Sequence, residues 1–344
     1  MLRNFSTIEE IRTRIGKSIL KPIASMKKAP FDPARFDHNE TFISGIPVHI
    51  YNTAPLKDYL SQFDFKKETS HLTKIPIKVL YLIHGRYRNY TDTESMGYYM
   101  TDKYYKLKGD VDIPLVFVTF DVSNHGSRLL NKSANNDWAE GNKNHALDMV
   151  SIIDDSVLKL KLIMDYLPFY LNLDSFVPKL TDYKFEFSNV VSGYSLGGHI
   201  IHRFVDKYPD SVDVIIPFIG SSDISSLMID RLLKVSPTGS KRYLQDYDEL
   251  KFTDEQKLLY PKSFHEYVSS IDQSVSENFP FGRIKMFAAY GSADPIVPPA
   301  YSKLFCSLHK IGDPDTEVFY QEGVGHDVTL EMLDKSVEWL VKFY

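Results

Sequence analysis

From residue 42 onward, short dense runs of apolar side chains alternate with longer stretches in which apolar residues recur every three or four positions. That rhythm predicts strands separated by crossover helices, and hence a largely parallel sheet. Residues 42–51 alternate loosely and read as an edge strand. Residues 77–83 and 113–120 are continuous runs rich in Val, Ile, Leu and Phe, which suit strands buried on both faces. Residues 185–192 and 212–219 add two more strands, and between them 198–208 has helical spacing with an apolar face. After Ser221 the strand rhythm stops for about sixty residues. There, residues 228–235 and the tyrosine-rich stretch to about Tyr267 read as short helices, punctuated by Pro237, Gly239, Pro261 and Pro280. Strands resume at 284–290 and 316–320, and an amphipathic helix over 329–343 closes the pattern. The prediction is one α/β domain over 41–344 with a helical cap inserted at about 224–282, preceded by a helical or extended segment over 1–40. No internal repeat or low-complexity tract interrupts it.

Composition narrows the class. Apolar residues at 43% and charged residues at 25% of 344 positions describe an ordinary globular chain with a sizeable core. The 40 basic and 45 acidic side chains give a formal charge of -5, which offers no field for nucleic acid. Cys306 is the single cysteine, so no disulfide forms within the chain, and a reducing compartment is expected. Its amphipathic surroundings make it a packing residue rather than a catalytic thiol. No run approaches the ~20 apolar residues of a membrane span, and no secretory signal is expected at the N-terminus. The first thirty residues carry Arg3, Arg12, Arg14, Lys17, Lys21, Lys27 and Lys28, but also Glu9 and Glu10, which transit peptides avoid. They read as an amphipathic helix packed on the domain. The expected location is cytoplasmic, with mitochondrial import as the alternative.

The chemistry is concentrated where strands end. An apolar run through Val190 and Val191 leads into Gly193-Tyr194-Ser195-Leu196-Gly197, a G-x-S-x-G sequence followed by helical spacing. A serine on a sharp strand-to-helix turn has strained dihedrals and is crowded by neighbouring chain, which explains the flanking glycines. The turn holds the hydroxyl at the head of a helix, where free N–H groups and the helix dipole favour a developing anion. Upstream, the strand over 79–83 ends in His84-Gly85-Arg86. Downstream, the strand over 286–290 ends in Gly291-Ser292-Ala293-Asp294-Pro295, and Gly323-Val324-Gly325-His326-Asp327 places a histidine in a glycine-flanked loop before the last helix. The order is serine, aspartate, histidine.

In these motifs and their order the chain resembles the α/β-hydrolase superfamily, from about residue 42 to the end. The stretches 121–128 and 138–149 resemble a poorly characterised branch near the dienelactone hydrolases and the prolyl-oligopeptidase-type domains. The resemblance implies the α/β-hydrolase fold: a mostly parallel central sheet flanked by helices, with a helical cap insertion. It implies a triad of Ser195 as nucleophile, His326 as general base and Asp294 as the orienting carboxylate, with the backbone N–H groups of Arg86 and Leu196 as the oxyanion hole. Asp223 is the alternative acid, since some relatives carry it after the preceding strand. His84 then braces its loop, and His125 is a turn residue. Asn142, His145 and Asp148 recur at helical spacing and could suggest a metal face, but a polar helix start is the better explanation of them, and the family ordinarily needs neither metal nor cofactor. The implied reaction is hydrolysis of a carboxylic ester or thioester of a small-molecule acyl substrate. A peptidase or acyltransferase using the same triad, and a non-catalytic binding protein that has kept the fold, are the alternatives. Tyr243, Tyr247, Tyr260 and Phe264 either line the acyl pocket or pack the insertion.

Overall fold

The chain enters its sheet through a hairpin. Strands β1 (His38–Ile43) and β2 (Ile46–Tyr51) run antiparallel, joined by Ser44 and Gly45 at φ 51° and 76°. Two successive positive φ angles match the twist of a two-residue hairpin. The single edge strand expected over 42–51 is therefore two strands, and the Ser-Gly pair at its centre was the turn signal. The structure, a computed structural model, describes residues 32–63, 72–109, 111–177, 182–237, 239 and 241–344. The expectation of a packed basic N-terminal helix lies outside these residues.

Next come α1 (Thr53–Gln62), β3 (Thr73–Ile83), α2 (Tyr90–Lys108), β4 (Leu115–Phe120), α3 (His145–Tyr170), β5 (Tyr183–Tyr194), α4 (Leu196–Lys207) and β6 (Val214–Phe218). With β7 (Lys285–Gly291) and β8 (Glu317–Gln321), they form one sheet in the order β1-β2-β4-β3-β5-β6-β7-β8. Only the β1–β2 and β2–β4 pairings are antiparallel. The chain steps from β3 to β4 on one side and then returns to lay β5 against the other side of β3. This reversal makes a crevice at the carboxyl ends of β3 and β5, the place where open α/β sheets bind ligands.

The continuous apolar runs are explained by burial on both faces. In β3, Ile75, Ile77, Val79, Tyr81 and Ile83 face one core with side chains of α3 and α4, whereas Leu80 and Leu82 face a second core with α2. The closing helix, Leu330–Leu340, covers that second face.

Between β6 and β7 the described chain is helical: α5 (Ile224–Leu233), short 3-10 turns at Arg242–Leu244 and Tyr247–Leu250, α6 (Asp254–Leu259) and α7 (Lys262–Glu277). Helix α7 packs on α4 and α5. Buried Arg203 of α4 reaches Asp272 of α7 at 3.2 Å and Asp154 of α3 at 3.1 Å, and Asp272 also accepts from Ser225 N at 2.6 Å. An ion pair this deep is stable only because further hydrogen bonds complete it. Helices α8 (Lys303–Gly312) and α9 (Leu330–Leu340) flank β8 in sequence, and α9 packs on α2 and β7. Among the described residues no helix is long and apolar enough to cross a membrane.

Candidate active site

At the end of β5 the backbone turns sharply at Ser195 (φ 54°, ψ −113°), and α4 begins with the next residue. A serine rarely adopts this conformation, and the surroundings enforce it. Ser195 N donates to Phe218 O at 3.0 Å, tying the elbow to β6. A Cβ on Gly197 would lie 2.2 Å from the Ile83 carbonyl oxygen, and one on Gly193 would lie 2.8 Å from it. Any side chain at either position would push β3 away from the elbow.

The turn after β7 presents Asp294 with its two oxygens already divided. Oδ1 accepts from the N–H groups of Ile296 (2.8 Å) and Val297 (3.0 Å), and Oδ2 lies 2.7 Å from His326 Nδ1. Only the Gly291 backbone could let these loops approach so closely, since a Cβ there would meet Gly325 O at 2.2 Å. On its other side, His326 Nε2 lies 2.8 Å from Ser195 Oγ. A carboxylate accepts, so Nδ1 carries the proton and Nε2 offers its lone pair to the serine hydroxyl. Asp294 and His326 are buried, while Ser195 is partly exposed at the cleft.

Across the crevice, Gly85 and Arg86 line the same cleft as Tyr194, Ser195, Ile296 and His326. His84 sets the peptide plane here. Its Nε2 accepts from Val122 N at 3.1 Å, so Nδ1 holds the proton and donates to Gly85 O at 2.8 Å. In a trans peptide the Arg86 N–H points opposite to that carbonyl. Burial, with His125 beside it, lowers the His84 pKa to about 4 and keeps the ring neutral in this bracing role. The Leu196 N–H opens α4 and has no acceptor within its own helix.

Other residues singled out in the sequence lie elsewhere. Asp223 caps α5, accepting from Ser226 N at 2.8 Å, and burial beside Asp272 and Asp230 raises its pKa well above the usual carboxylate range. It makes no bond to His326. His125 is buried at the entry to a 3-10 turn, with Nδ1 on Ser123 O at 2.8 Å. Asn142 donates to Asp148 at 2.9 Å and to the Asn136 carbonyl at 3.1 Å, tying down the start of α3, while His145 is that helix's first residue. Cys306 is buried against Tyr290, and burial raises its thiol pKa to about 11. Tyr243, Tyr247 and Tyr260 are buried within the insertion, Phe264 packs against the same core, and none of the four lines the cleft. Sequence reading missed Tyr194 and Ile296 as cleft walls. It also missed Arg231, whose Nη2 donates to Ile296 O at 2.6 Å. The available signal for Arg231 was that it is the lone cation of helix α5.

No protein-family model and no curated protein matches the chain. Solved structures do share its architecture. TT1662 from Thermus thermophilus superposes with a TM-score of 0.52 at 12% identity, covering 89% of this chain and 97% of that one. Est1E from Butyrivibrio proteoclasticus, solved with ferulic acid bound, gives 0.49 at 13% identity over 88% of this chain and 98% of that one. At such identities the likeness is one of fold, and the fold is that of the α/β-hydrolases.

Proposed function

We propose that the chain is a serine hydrolase that cleaves a carboxylic ester or thioester through an acyl-enzyme, with residues 41–344 acting as one catalytic domain. The observation that carries this reading is the hydrogen-bonded line from Asp294 through His326 to Ser195, with contacts of 2.7 and 2.8 Å. Ser195 Oγ attacks the acyl carbon while His326 Nε2 takes its proton. Asp294 holds the Nδ1–H and stabilises the imidazolium that forms. Charge on the carbonyl oxygen is stabilised by the backbone N–H groups of Leu196 and Arg86. His326 then protonates the departing alcohol or thiol, and a water repeats the sequence to release the acid. The chemistry uses protein groups alone. A binding protein has no use for a serine held at a dihedral that costs about 1–3 kcal/mol. A cytoplasmic location fits the single buried cysteine.

The test is labelling by a fluorophosphonate probe together with a panel of 4-nitrophenyl esters, a thioester and a peptide amide. Labelling at Ser195 and ester turnover are expected, and Ser195→Ala should abolish both. Folded protein that neither labels at Ser195 nor turns over any ester would overturn the assignment.

A further inference from the structure

Among the described arginines, Arg35, Arg88, Arg128, Arg203, Arg242 and Arg283 each have a carboxylate partner. Arg86 and Arg231 have no carboxylate at ion-pair distance among the described residues; Arg86 lines the cleft, and Arg231 holds the carbonyl of Ile296, a residue that lines it. Arg86 stands there beside Ser195 and His326. Its guanidinium lies over the Tyr87 ring, 4.9 Å from the centroid, with Nη1 3.4 Å from His145 Nδ1. That nitrogen is no acceptor for it. His145 Nδ1 is closer, at 3.1 Å, to the Asn136 carbonyl oxygen, which can only accept, so Nδ1 carries a proton. Arg231 comes from the insertion and reaches the cleft wall through the Ile296 carbonyl.

The two cations also act on their surroundings. Burial, then Arg86, lowers the Arg231 pKa to about 10 against the opposing effect of Tyr301, Asp137 and Asp294, and burial with both arginines holds His145 well below its ordinary value. Both side chains are partly buried, and like charges held near one another in such a place favour an anion that joins them. A forked guanidinium pair suits the planar oxygens of a carboxylate or the oxygens of a phosphate.

We propose that Arg86 and Arg231 receive an acidic oxyanion, carboxylate or phosphate, carried by the ester that Ser195 cleaves. This rests on the reading of Ser195 as the nucleophile. The insertion therefore enters substrate recognition through a charge on α5, while its aromatic side chains stay in the core.

Three esters of equal chain length test it: 4-nitrophenyl hexanoate, the 4-nitrophenyl monoester of adipic acid, and the analogue ending in a phosphonate. One of the acidic esters should exceed the neutral one in kcat/KM by about tenfold or more, and this preference should shrink with added salt. The stronger acidic ester identifies the group. Arg231→Gln and Arg86→Gln should each reduce the acidic-to-neutral ratio by about tenfold, and Arg231→Lys should recover part of it. The Arg86 substitution keeps the backbone N–H in place, so it reports on the side chain even if the Arg231 variants fail to fold. Hydrolysis of all three esters without charge preference, or an unchanged ratio in the folded variants, overturns this proposal and leaves Ser195 as nucleophile. Absence of both hydrolysis and probe labelling overturns the two together.

Discussion

The ends of β6 and β7 each deliver an aspartate to the same side of the sheet, and the two carboxylates have opposite fates. After β7, Asp294 gives one oxygen to two backbone N–H groups and the other to His326. After β6, Asp223 turns into the protein to cap α5, among Asp272 and Asp230, which favour its protonated form. Following a strand is thus not sufficient. A carboxyl group that resists ionisation cannot steady an imidazolium, whereas one already bound by N–H groups meets that demand without rearrangement. The flanking chain decides between them: Gly291 lets the His326 loop lie against the β7 turn, whereas Asp223 is taken up by the Ser226 N–H at the start of α5.

The sharpest way to break this contrast is Asp294→Asn. An amide cannot both accept the Nδ1–H and stabilise the cation, so kcat should fall by up to about four orders of magnitude, roughly 5 kcal/mol at about 1.36 kcal/mol per decade. A loss smaller than that of Asp223→Asn, on variants folded by circular dichroism, would move the orienting acid to Asp223.

A second test takes the scaffold around Asp223. Tyr260 is fully buried in the core shared by the insertion and α4. Tyr260→Ala should cost about 3–5 kcal/mol in urea unfolding, as large aromatic deletions do, with probe labelling retained in the folded fraction. A loss of labelling without loss of stability would instead make this side chain part of the pocket.

The smallest expected effect is that of Asp223→Asn, which keeps the capping acceptor and removes only the charge. Turnover should change less than about threefold. The stability effect has a defined sign. The Asp223 pKa is raised in the folded state, so the native protein holds this proton more tightly than the unfolded chain. Wild-type stability therefore drops as pH rises from the ordinary carboxylate range toward the folded pKa, and the variant escapes that loss. The difference in urea midpoint should shift in favour of the variant between pH 4.5 and 7. A difference that does not move with pH would remove the carboxylate cluster from the explanation.

The central strands were legible because each is a continuous apolar run that no amphipathic helix would show, and the periodicity of 329–343 marked the closing helix α9 in the same way. The crowding that requires Gly193 and Gly197 was also legible, since a strand, a sharp turn and a helix follow one another directly in the chain. The hairpin at Ser44 and Gly45 was less so, because two polar positions barely break a loose alternation.

Sequence alone determined what depends on chain neighbours: where strands begin, where the backbone must turn without a side chain, and which serine, aspartate and histidine stand at strand ends. Tertiary structure alone decided the pairings. It gave His326 to Asp294 rather than Asp223, buried Tyr243, Tyr247 and Tyr260 away from the cleft, and left Arg86 in the cleft and Arg231 on the Ile296 carbonyl, neither in an ion pair among the described residues. The physical reason is that hydrogen bonds, packing and Coulomb forces depend on distance through space. Residues 86, 195, 231, 294 and 326 become neighbours only when the sheet has assembled.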